Sequence, residues 1–343
     1  MALLISLPTE ILLHILSYLY ALEENFIQYG NKKNILSTRL ACRRLAGIGE
    51  TILFTHIKFV QDDEGFRRLS TLARSPLCQQ VRVISCYFEN YRTGKSSKSI
   101  VNETKFQSLV ELTEKGSTGL ADILSQFQNL RAIKIWQNWA SSWFWDLDSH
   151  EVEALTAQPV TCRLFENVID ALATSTYSIT GLALGSDRAF CPEWPLSFAA
   201  FQPRTPETRN LYQRVFGSIR QLKVMLPRIA RNGIGEYGLN IRGLKALIES
   251  SPLLEDLHLS IDMGFDHEPF ELDFATPKLQ HLTLEGLLLK DLAAFVNFLR
   301  QCQTTLKSVE FRRLTLVQGS RVPNQKFSGE SILDDTAAIK LLG

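Results

Sequence analysis

Three glycines in the segment NGIGEYG are the clearest match in this chain to a cofactor-binding motif. Gly233, Gly235 and Gly238 have the G-x-G-x-x-G spacing, which lets backbone N–H groups approach a dinucleotide pyrophosphate. That motif has to follow a strand directly and open a helix. Here Pro227 ends the preceding strand, and the residues RIARN separate it from the first glycine. The segment is therefore predicted to be a flexible turn rather than a nucleotide site.

Histidine and cysteine form no recognisable metal or nucleophile motif. The six cysteines include no C-x-x-C pair, and none of the six histidines has metal-ligand spacing from a cysteine or from another histidine. His258 and His281 fall on strand patterns and are predicted to be solvated. No G-x-S-x-G segment and no P-loop is present. The sequence thus predicts that the chain is not an enzyme and has no catalytic residue, metal or cofactor.

The composition is that of a globular protein with a large core. The chain has 343 residues, of which 45% are hydrophobic, and a formal net charge of +1, so no overall field favours nucleic acid or a membrane surface. The first 19 residues contain no Lys or Arg, which argues against a secretory signal. The apolar run Ile11–Leu22 is too short to span a membrane. We expect a cytoplasmic and/or nuclear protein with reduced cysteines and with no nucleic-acid or membrane partner.

The segment LPTEILLHILSYL, Leu7–Leu19, predicts an apolar helix near the start of the chain. Pro8 suits the first turn, where its missing N–H has no helical partner, and Glu10 is favoured by the positive end of the helix. Apolar residues recur at helical spacing over a face wider than one neighbouring helix would cover. Two further helical segments follow in NILSTRLACRRLAGIG and ETILFTHIKF. Because short helices bury little surface alone, they should pack against the rest of the chain or another protein.

Two blocks within these helices resemble an F-box, a small helical motif that docks onto the Skp-type adaptor of a cullin–RING ubiquitin ligase. The blocks are Leu7-Pro8-x-Glu10-Ile11 with Ile15-Leu16-x-Tyr18-Leu19, and then Ser37–Leu45 with Leu53-Phe54. The segment from Tyr20 to Asn34 is longer than the usual link between the two helices. The resemblance implies an F-box over residues 1–57. It also implies adaptor contacts from Leu7, Pro8, Ile11, Leu12, Ile15, Leu16, Leu19, Ile35, Leu36, Leu40 and Cys42.

The rest of the chain repeats the pattern apolar-x-x-apolar-x-apolar. The copies are Cys78, Val81, Val83; Leu130, Ile133, Ile135; Ile179, Leu182, Leu184; Ile219, Leu222, Val224; Leu254, Leu257, Leu259; Leu279, Leu282, Leu284; and Leu306, Val309, Phe311. Most copies follow a segment with helical spacing, and helix, turn and strand form the unit of a leucine-rich repeat. The Asn or Cys that follows the strand in that family appears only as Cys86 and Asn138. The chain therefore resembles the divergent leucine-rich arrays that follow F-boxes in many fungal proteins.

This resemblance implies an α/β fold. A helical F-box at the N-terminus is followed by an irregular leucine-rich-repeat-like solenoid, in which parallel strands alternate with helices. We expect the array to span residues 58–343, with inserts near 137–161 and 186–209. The first, fourth and sixth places of each copy should face the core, and the fifth and seventh places should face outward onto a concave surface.

A substrate-binding surface is predicted on the early repeats. The outward places there carry basic residues with apolar neighbours, and the segment WQNWASSWFWDLDSH after the second predicted strand holds four of the five tryptophans. Large aromatic side chains on a rim are typical of a binding site. The alternative is that these rings fold inward and shield the core. The predicted substrate-binding residues are Arg82, Lys134, Trp136, Trp139, Trp143, Trp145, Lys223 and Met225.

Three functions compete for this combination of features. The best supported is the substrate-recognition subunit of an SCF-type cullin–RING ubiquitin ligase, with the F-box on the adaptor and the array on a protein substrate. The alternative is a non-catalytic protein-interaction scaffold that does not drive ubiquitination. An enzyme built on the glycine-rich turn is the weakest of the three, because the turn lacks the strand and helix that a nucleotide site needs.

Overall fold

The computed structural model describes residues 6–24, 32–60, 63–89, 119–138, 165–175, 178–185, 205–226, 241–261, 276–289, 292–316, 332–333 and 337–339. Within these ranges the chain is an α/β protein. It has one large open sheet, a second sheet of three short strands, and helices that precede and connect the strands of the large sheet.

The helices fall into an N-terminal group of three and a set that alternates with the strands. They are α1 (Thr9–Glu24), α2 (Lys32–Arg39), α3 (Arg43–Thr55), α4 (Asp63–Ala73), α5 (119–124), α6 (165–174), α7 (Pro206–Phe216), α8 (Ile241–Glu249) and α9 (Leu292–Cys302). A short 3₁₀ helix covers Pro76–Gln80. In α7, Pro206 occupies the first turn and the Thr205 hydroxyl accepts a hydrogen bond from the Thr208 N–H at 3.2 Å, which caps the helix start.

The strands are short and follow one another across the sheet in chain order. They are β1 (His56–Val60), β2 (Val83–Glu89), β3 (Ala132–Asn138), β4 (Gly181–Gly185), β5 (Gln221–Leu226), β6 (Asp256–Ile261), β7 (His281–Glu285), β8 (Leu288–Leu289), β9 (Ser308–Arg312), β10 (Leu314–Leu316), β11 (Ile332–Leu333) and β12 (Ala337–Ile339). The large sheet has the order β1-β2-β3-β4-β5-β6-β7-β9-β12, and its first eight strands are parallel. Strand β12 joins the edge antiparallel to β9. The small sheet contains β11, β10 and β8.

A ladder of shared carbonyl groups gives successive units the same register. The carbonyl oxygen of Arg82, just before β2, accepts hydrogen bonds from the N–H groups of Arg131 (2.8 Å) and Ala132 (3.1 Å) at the start of β3. The same pair of bonds recurs at the carbonyls of Arg131, Thr180, Arg220, Glu255 and Gln280. Because each entry into a strand is tied to the preceding one, a shift of one strand would break bonds on both sides.

One face of the sheet and the connecting helices enclose a continuous apolar core. The fourth and sixth places of the strands point into it, as at Ile133 and Ile135 in β3. The helices contribute Leu69, Leu120, Leu124, Phe165, Val168, Tyr212, Phe216, Leu244, Leu247, Phe295 and Phe298. Edge-to-face ring contacts join Phe165 to Tyr212 and Tyr212 to Phe216. Fully buried side chains of this size contribute about 1.5–3 kcal/mol each relative to exposure, so the core holds the sheet in one piece.

The first predicted copy of the repeat is out of register by three residues. Ile84 pairs with Ile133, and Val81, Ile84 and Cys86 are all buried. These residues, rather than Cys78, Val81 and Val83, occupy the first, fourth and sixth places. Cys86 is therefore a core residue and not the residue that follows the strand, and Ile84 points inward rather than outward.

An earlier copy of the pattern precedes it and was missed. Ile57 pairs with Ile84, and Phe59 pairs with Cys86, so Phe54, Ile57 and Phe59 form the first unit. Strand β1 starts at His56, directly after α3. The predicted boundary between residues 57 and 58 therefore lies inside a strand, and the helical group continues into the sheet without a linker.

The predicted inserts overlap regular structure at two of their ends. Residues 137 and 138 belong to β3, residues 206–209 belong to α7, and Thr205 caps that helix. The remaining residues of both predicted inserts, 139–161 and 186–204, lie outside the described residues.

Candidate interaction surfaces

The first candidate surface consists of exposed apolar side chains on α1, on α2 and at the residue that follows α2. Of the large apolar side chains that the structure describes, four are exposed: Ile11 (47%), Ile15 (36%), Leu36 (48%) and Leu40 (88%). Ile11 and Ile15 are one helical turn apart and share a face of α1. We call these four residues the apolar patch. Leu36 lies on α2 and Leu40 directly follows that helix, and α1 and α2 are in contact. Exposed large apolar side chains on neighbouring elements are a feature of interaction sites.

The opposite side of α1 packs against α3. Leu12 and Leu16 are buried there with Leu45, Ile48 and Ile52 in a small core separate from that of the sheet. Leu12 and Leu16, which are predicted adaptor contacts, are buried here against the chain's own helix α3. Helix α1 is thus apolar on two sides, and one of them is buried against α3.

The other predicted adaptor residues have mixed positions. Pro8 is exposed, while Leu7 and Cys42 are partly buried and pack against the small core. Leu19 and Ile35 lie on α1 and α2, but their side chains are outside the described set. Among the predicted set, the apolar patch and Pro8 are therefore the exposed side chains that the structure describes.

Arg44 fixes the start of α1 relative to α3. Its Nη2 donates hydrogen bonds to the carbonyl oxygen of Leu7 (2.8 Å) and to Oγ1 of Thr9 (3.2 Å). A charged donor to a backbone carbonyl makes a stronger bond than a neutral one. The contact orients the first turn of α1, which contains Ile11.

The second candidate surface is the sheet face opposite the apolar core, which carries the third, fifth and seventh places of each unit. We call it the polar face. At the fifth place, lysines lie on alternate strands: Lys58 in β1, Lys134 in β3 and Lys223 in β5. On the strands between them, β2 and β4, the register places Ser85 and Ala183 at the same position. Neighbouring strands lie about 4.8 Å apart, so successive lysines are about 9.6 Å apart at the backbone.

The strands between the lysines carry small residues. Ser85 is buried, and its Oγ lies 2.6 Å from Nε2 of His56. Ala183 is 9% exposed. In β4 the flanking places are Gly181 and Gly185, so no side chain rises there. The lysines are therefore the long side chains of the fifth-place row on β1 to β5.

The later strands of the polar face carry acidic residues that already have partners. Asp256 accepts from Gln221 at 3.0 Å, Glu285 pairs with Arg313 at 2.7 Å, and Glu310 pairs with Arg312 at 2.6 Å. His281 lies 3.9 Å from Asp256 and 2.7 Å from Ser308. Glu285 and Glu310 are thus paired with arginines, while Asp256 accepts a hydrogen bond from a neutral amide.

His258 lies at the fifth place of β6, where the basic and acidic halves meet. Burial, with a smaller contribution from the nearby Lys223, lowers the pKa of His258 to about 4. Its Nε2 is buried without a hydrogen-bond partner. The prediction that His258 is a solvated residue is therefore wrong, whereas His281 is exposed as expected.

The predicted substrate residues divide into three groups. Lys134, Lys223 and Met225 lie on the polar face as predicted, and the backbone of Trp136 is at the seventh place of β3. Arg82 does not lie at a fifth place, because it precedes β2 and its carbonyl belongs to the ladder. Trp139, Trp143, Trp145 and the glycine-rich turn at 233–238 lie outside the described residues.

Lys58 is the residue of this row that sequence reasoning missed. Its signal was present, because Phe54-x-x-Ile57-x-Phe59 matches the repeat pattern and places Lys58 between the two inward residues. Phe54 also belongs to the pair Leu53-Phe54 of the helical motif, so the same residue fits two patterns.

In the described part of the chain, no three His, Cys, Asp or Glu side chains lie together as a metal site would require. None of the described helices has the length and apolar character needed to cross a membrane. Comparison of the chain with models of known protein families and with curated proteins gave no match. The assignment of a function therefore depends on the two surfaces.

Proposed function

We propose that this protein is the substrate-recognition subunit of an SCF-type cullin–RING ubiquitin ligase. Helices α1 to α3 act as an F-box that docks onto a Skp-type adaptor. The repeated helix–strand units act as a leucine-rich-repeat-like array that binds a protein substrate. The observation that carries the proposal is the apolar patch of Ile11, Ile15, Leu36 and Leu40.

The patch supports docking because leaving it in water is unfavourable. Transfer of apolar surface out of water is worth about 25 cal/mol per Å², and Leu40 alone keeps 88% of its surface exposed. Burial of such residues at the centre of an interface accounts for a large share of binding energy in most complexes. A partner that covers both α1 and α2 would bury all four residues at once.

The register of the sheet supports the second half of the proposal. The shared-carbonyl ladder and the continuous core link β1 to β9, and α3 runs directly into β1. A substrate on the polar face would thus be held at a defined distance from an adaptor on the apolar patch. In this function the protein supplies proximity, and other subunits carry out the bond chemistry.

The adaptor interaction is tested by placing a charge in the patch. Leu40→Glu and Leu36→Glu should each weaken binding of a purified Skp-type adaptor at least about 30-fold, because a buried unpaired carboxylate is costly. The matched control is Gln128→Glu, which adds the same charge at an exposed turn before β3. Calorimetric titration measures affinity, and a melting curve shows that each variant folds. If wild type fails to bind, or if all three variants bind alike, the docking proposal is refuted.

Ligase activity is separated from scaffolding by reconstitution. The wild-type chain, the adaptor, a cullin–RING core and ubiquitin-charged enzyme should modify a captured substrate, and Leu40→Glu should abolish that modification. Adaptor binding without assembly of the cullin would instead favour the non-catalytic scaffold.

A further inference from the structure

The second place of each unit, just before the strand, forms a row of side chains that we call the entry rim. The shared-carbonyl ladder links the members of this row in chain order: Thr55, Arg82, Arg131, Thr180, Arg220, Glu255, Gln280 and Lys307. Consecutive members lie at the entries of neighbouring strands, which are about 4.8 Å apart. Arginine occupies two consecutive positions of the row at Arg82 and Arg131.

Arg220 and Glu255 show that side chains at consecutive positions of the entry rim can meet. Nη1 of Arg220 lies 2.6 Å from Oε1 of Glu255, and the carbonyl oxygen of Arg220 accepts a hydrogen bond from the N–H of Glu255 at 2.8 Å. The carbonyl oxygen of Arg82 accepts from the N–H of Arg131 at the same distance, 2.8 Å. The same backbone arrangement therefore brings two guanidinium groups to the place where the later pair forms a salt bridge.

The charges of Arg82 and Arg131 are not balanced by their described surroundings. Both residues are exposed, and within the described residues neither guanidinium group has a hydrogen-bond or ion-pair partner. The segments that lead into β2, β3 and β4, at 74–82, 125–131 and 175–180, contain no Asp or Glu. Because two like charges this close repel each other, an anion between them would be favourable.

We infer that Arg82 and Arg131 form a binding site for a phosphate monoester. Such a group carries a charge of about −1.5 to −2 at pH 7 and three acceptor oxygens, which suits two cationic, planar donor forks. A carboxylate has one charge and two oxygens, so it can satisfy one fork. Phosphorylated side chains and small phosphate esters share this chemistry. The inference goes beyond the proposed ligase function and does not rest on it, because the site needs no adaptor.

The test titrates the purified full-length chain with phenyl phosphate, and benzoate is the matched ligand that carries a carboxylate on the same ring. Phenyl phosphate should bind with a dissociation constant below about 1 mM and at least about tenfold more tightly than benzoate. Methyl phenyl phosphate, a diester with a single charge, should also bind at least about tenfold more weakly. No binding of phenyl phosphate, or equal affinity for the monoester and either comparison ligand, would overturn the inference.

Substitution of the arginines identifies the surface. Arg82→Gln and Arg131→Gln should each weaken phenyl phosphate binding at least about tenfold, and Arg131→Lys about threefold, because an ammonium group keeps the charge without the planar fork. Arg300→Gln is the matched control, since Arg300 is exposed on α9, and it should leave the affinity unchanged. An equal loss in the control, or unchanged affinity in the glutamine variants, would refute the site.

Arg131→Glu tests the geometry through stability rather than through binding. It replaces two like charges by an ion pair of the kind that Arg220 and Glu255 form. The variant should lose phenyl phosphate binding but melt at a higher temperature than Arg131→Gln, and the difference should shrink with added salt. An equal or lower melting temperature would show that side chains 82 and 131 do not meet, which would overturn the inference.

A peptide with one phosphothreonine identifies the source of the phosphate group. If it binds at least as tightly as phenyl phosphate, the site is supported and a protein segment can supply the ligand. If it binds more weakly, the site is supported with a small phosphate ester as its ligand. If the adaptor does not bind wild type but phenyl phosphate does, the proposed ligase function fails while the phosphate site stands.

Discussion

Gly185, the last residue of β4, lies with φ at +126° and faces the backbone of the next strand. A Cβ built there would lie 1.6 Å from the carbonyl oxygen of Met225. The position therefore excludes a side chain both by conformation and by space. The glycine therefore lets β4 approach β5 closely, and β4 is the strand that separates Lys134 in β3 from Lys223 in β5.

At the residue scale, Gly185→Ala should lower the free energy of unfolding by more than about 2 kcal/mol, because strain and overlap add. Gly47→Ala is the control, since nothing lies within 4 Å of a Cβ at that exposed helical position. It should be neutral or stabilising by up to about 1 kcal/mol. Urea unfolding measures both, and equal midpoints would contradict the close strand approach.

His258 should make folding stability depend on pH. Its folded pKa is about 4, whereas an unfolded histidine titrates near about 6.5. Between these values the unfolded chain binds more protons, so stability falls as the pH falls through the window. The two pKa values correspond to a loss of about 2 kcal/mol between pH 7 and pH 5, which solvent screening of the partly exposed ring reduces. Over that range wild type should lose about 1 kcal/mol more than His258→Gln, measured by urea unfolding. An identical loss in both proteins would show that His258 does not titrate in this way.

At the scale of elements, Arg44 joins the start of α1 to α3. Removing its two hydrogen bonds in Arg44→Ala should loosen the first turn of α1, because each bond contributes about 1 kcal/mol. The amide of Leu12, which donates to the Pro8 carbonyl oxygen at 3.1 Å, should then exchange about fivefold to tenfold faster. The exposed Arg43 provides the matched control as Arg43→Ala. Hydrogen exchange that is unchanged at Leu12, or raised equally in both variants, would exclude this role.

At the scale of the whole molecule, the described residues form two apolar cores joined through α3 and β1. Ile48→Ala in the small core and Leu259→Ala in the sheet core should each cost about 2–5 kcal/mol locally. The first should speed amide exchange in α1 and α3. The second should speed exchange across β4 to β9, because each unit is buried only against its neighbours. Faster exchange in β6 and β7 of Ile48→Ala would show instead that the molecule unfolds as one unit.

The strand pattern was predictable because it depends on local spacing. Alternation puts the fourth and sixth places on one side of any extended strand, and six of the seven predicted copies have the register that the structure shows. The first copy failed because Cys78-x-x-Val81-x-Val83 and Val81-x-x-Ile84-x-Cys86 both fit the pattern. The choice depends on hydrogen bonds from β2 to β1 and β3, which are separated from it in sequence.

The sequence by itself determined that α1 is apolar, that strands alternate with helices, and that lysines occupy outward places. The tertiary structure decided which side of α1 is covered, since only the position of α3 buries Leu12 and Leu16 and leaves Ile11 and Ile15 exposed. It also decided that Lys58, Lys134 and Lys223 share one row, because the sequence lengths between their strands differ while the hydrogen-bonded register is the same. Local spacing sets the direction of a side chain, and only packing across the chain sets its neighbours.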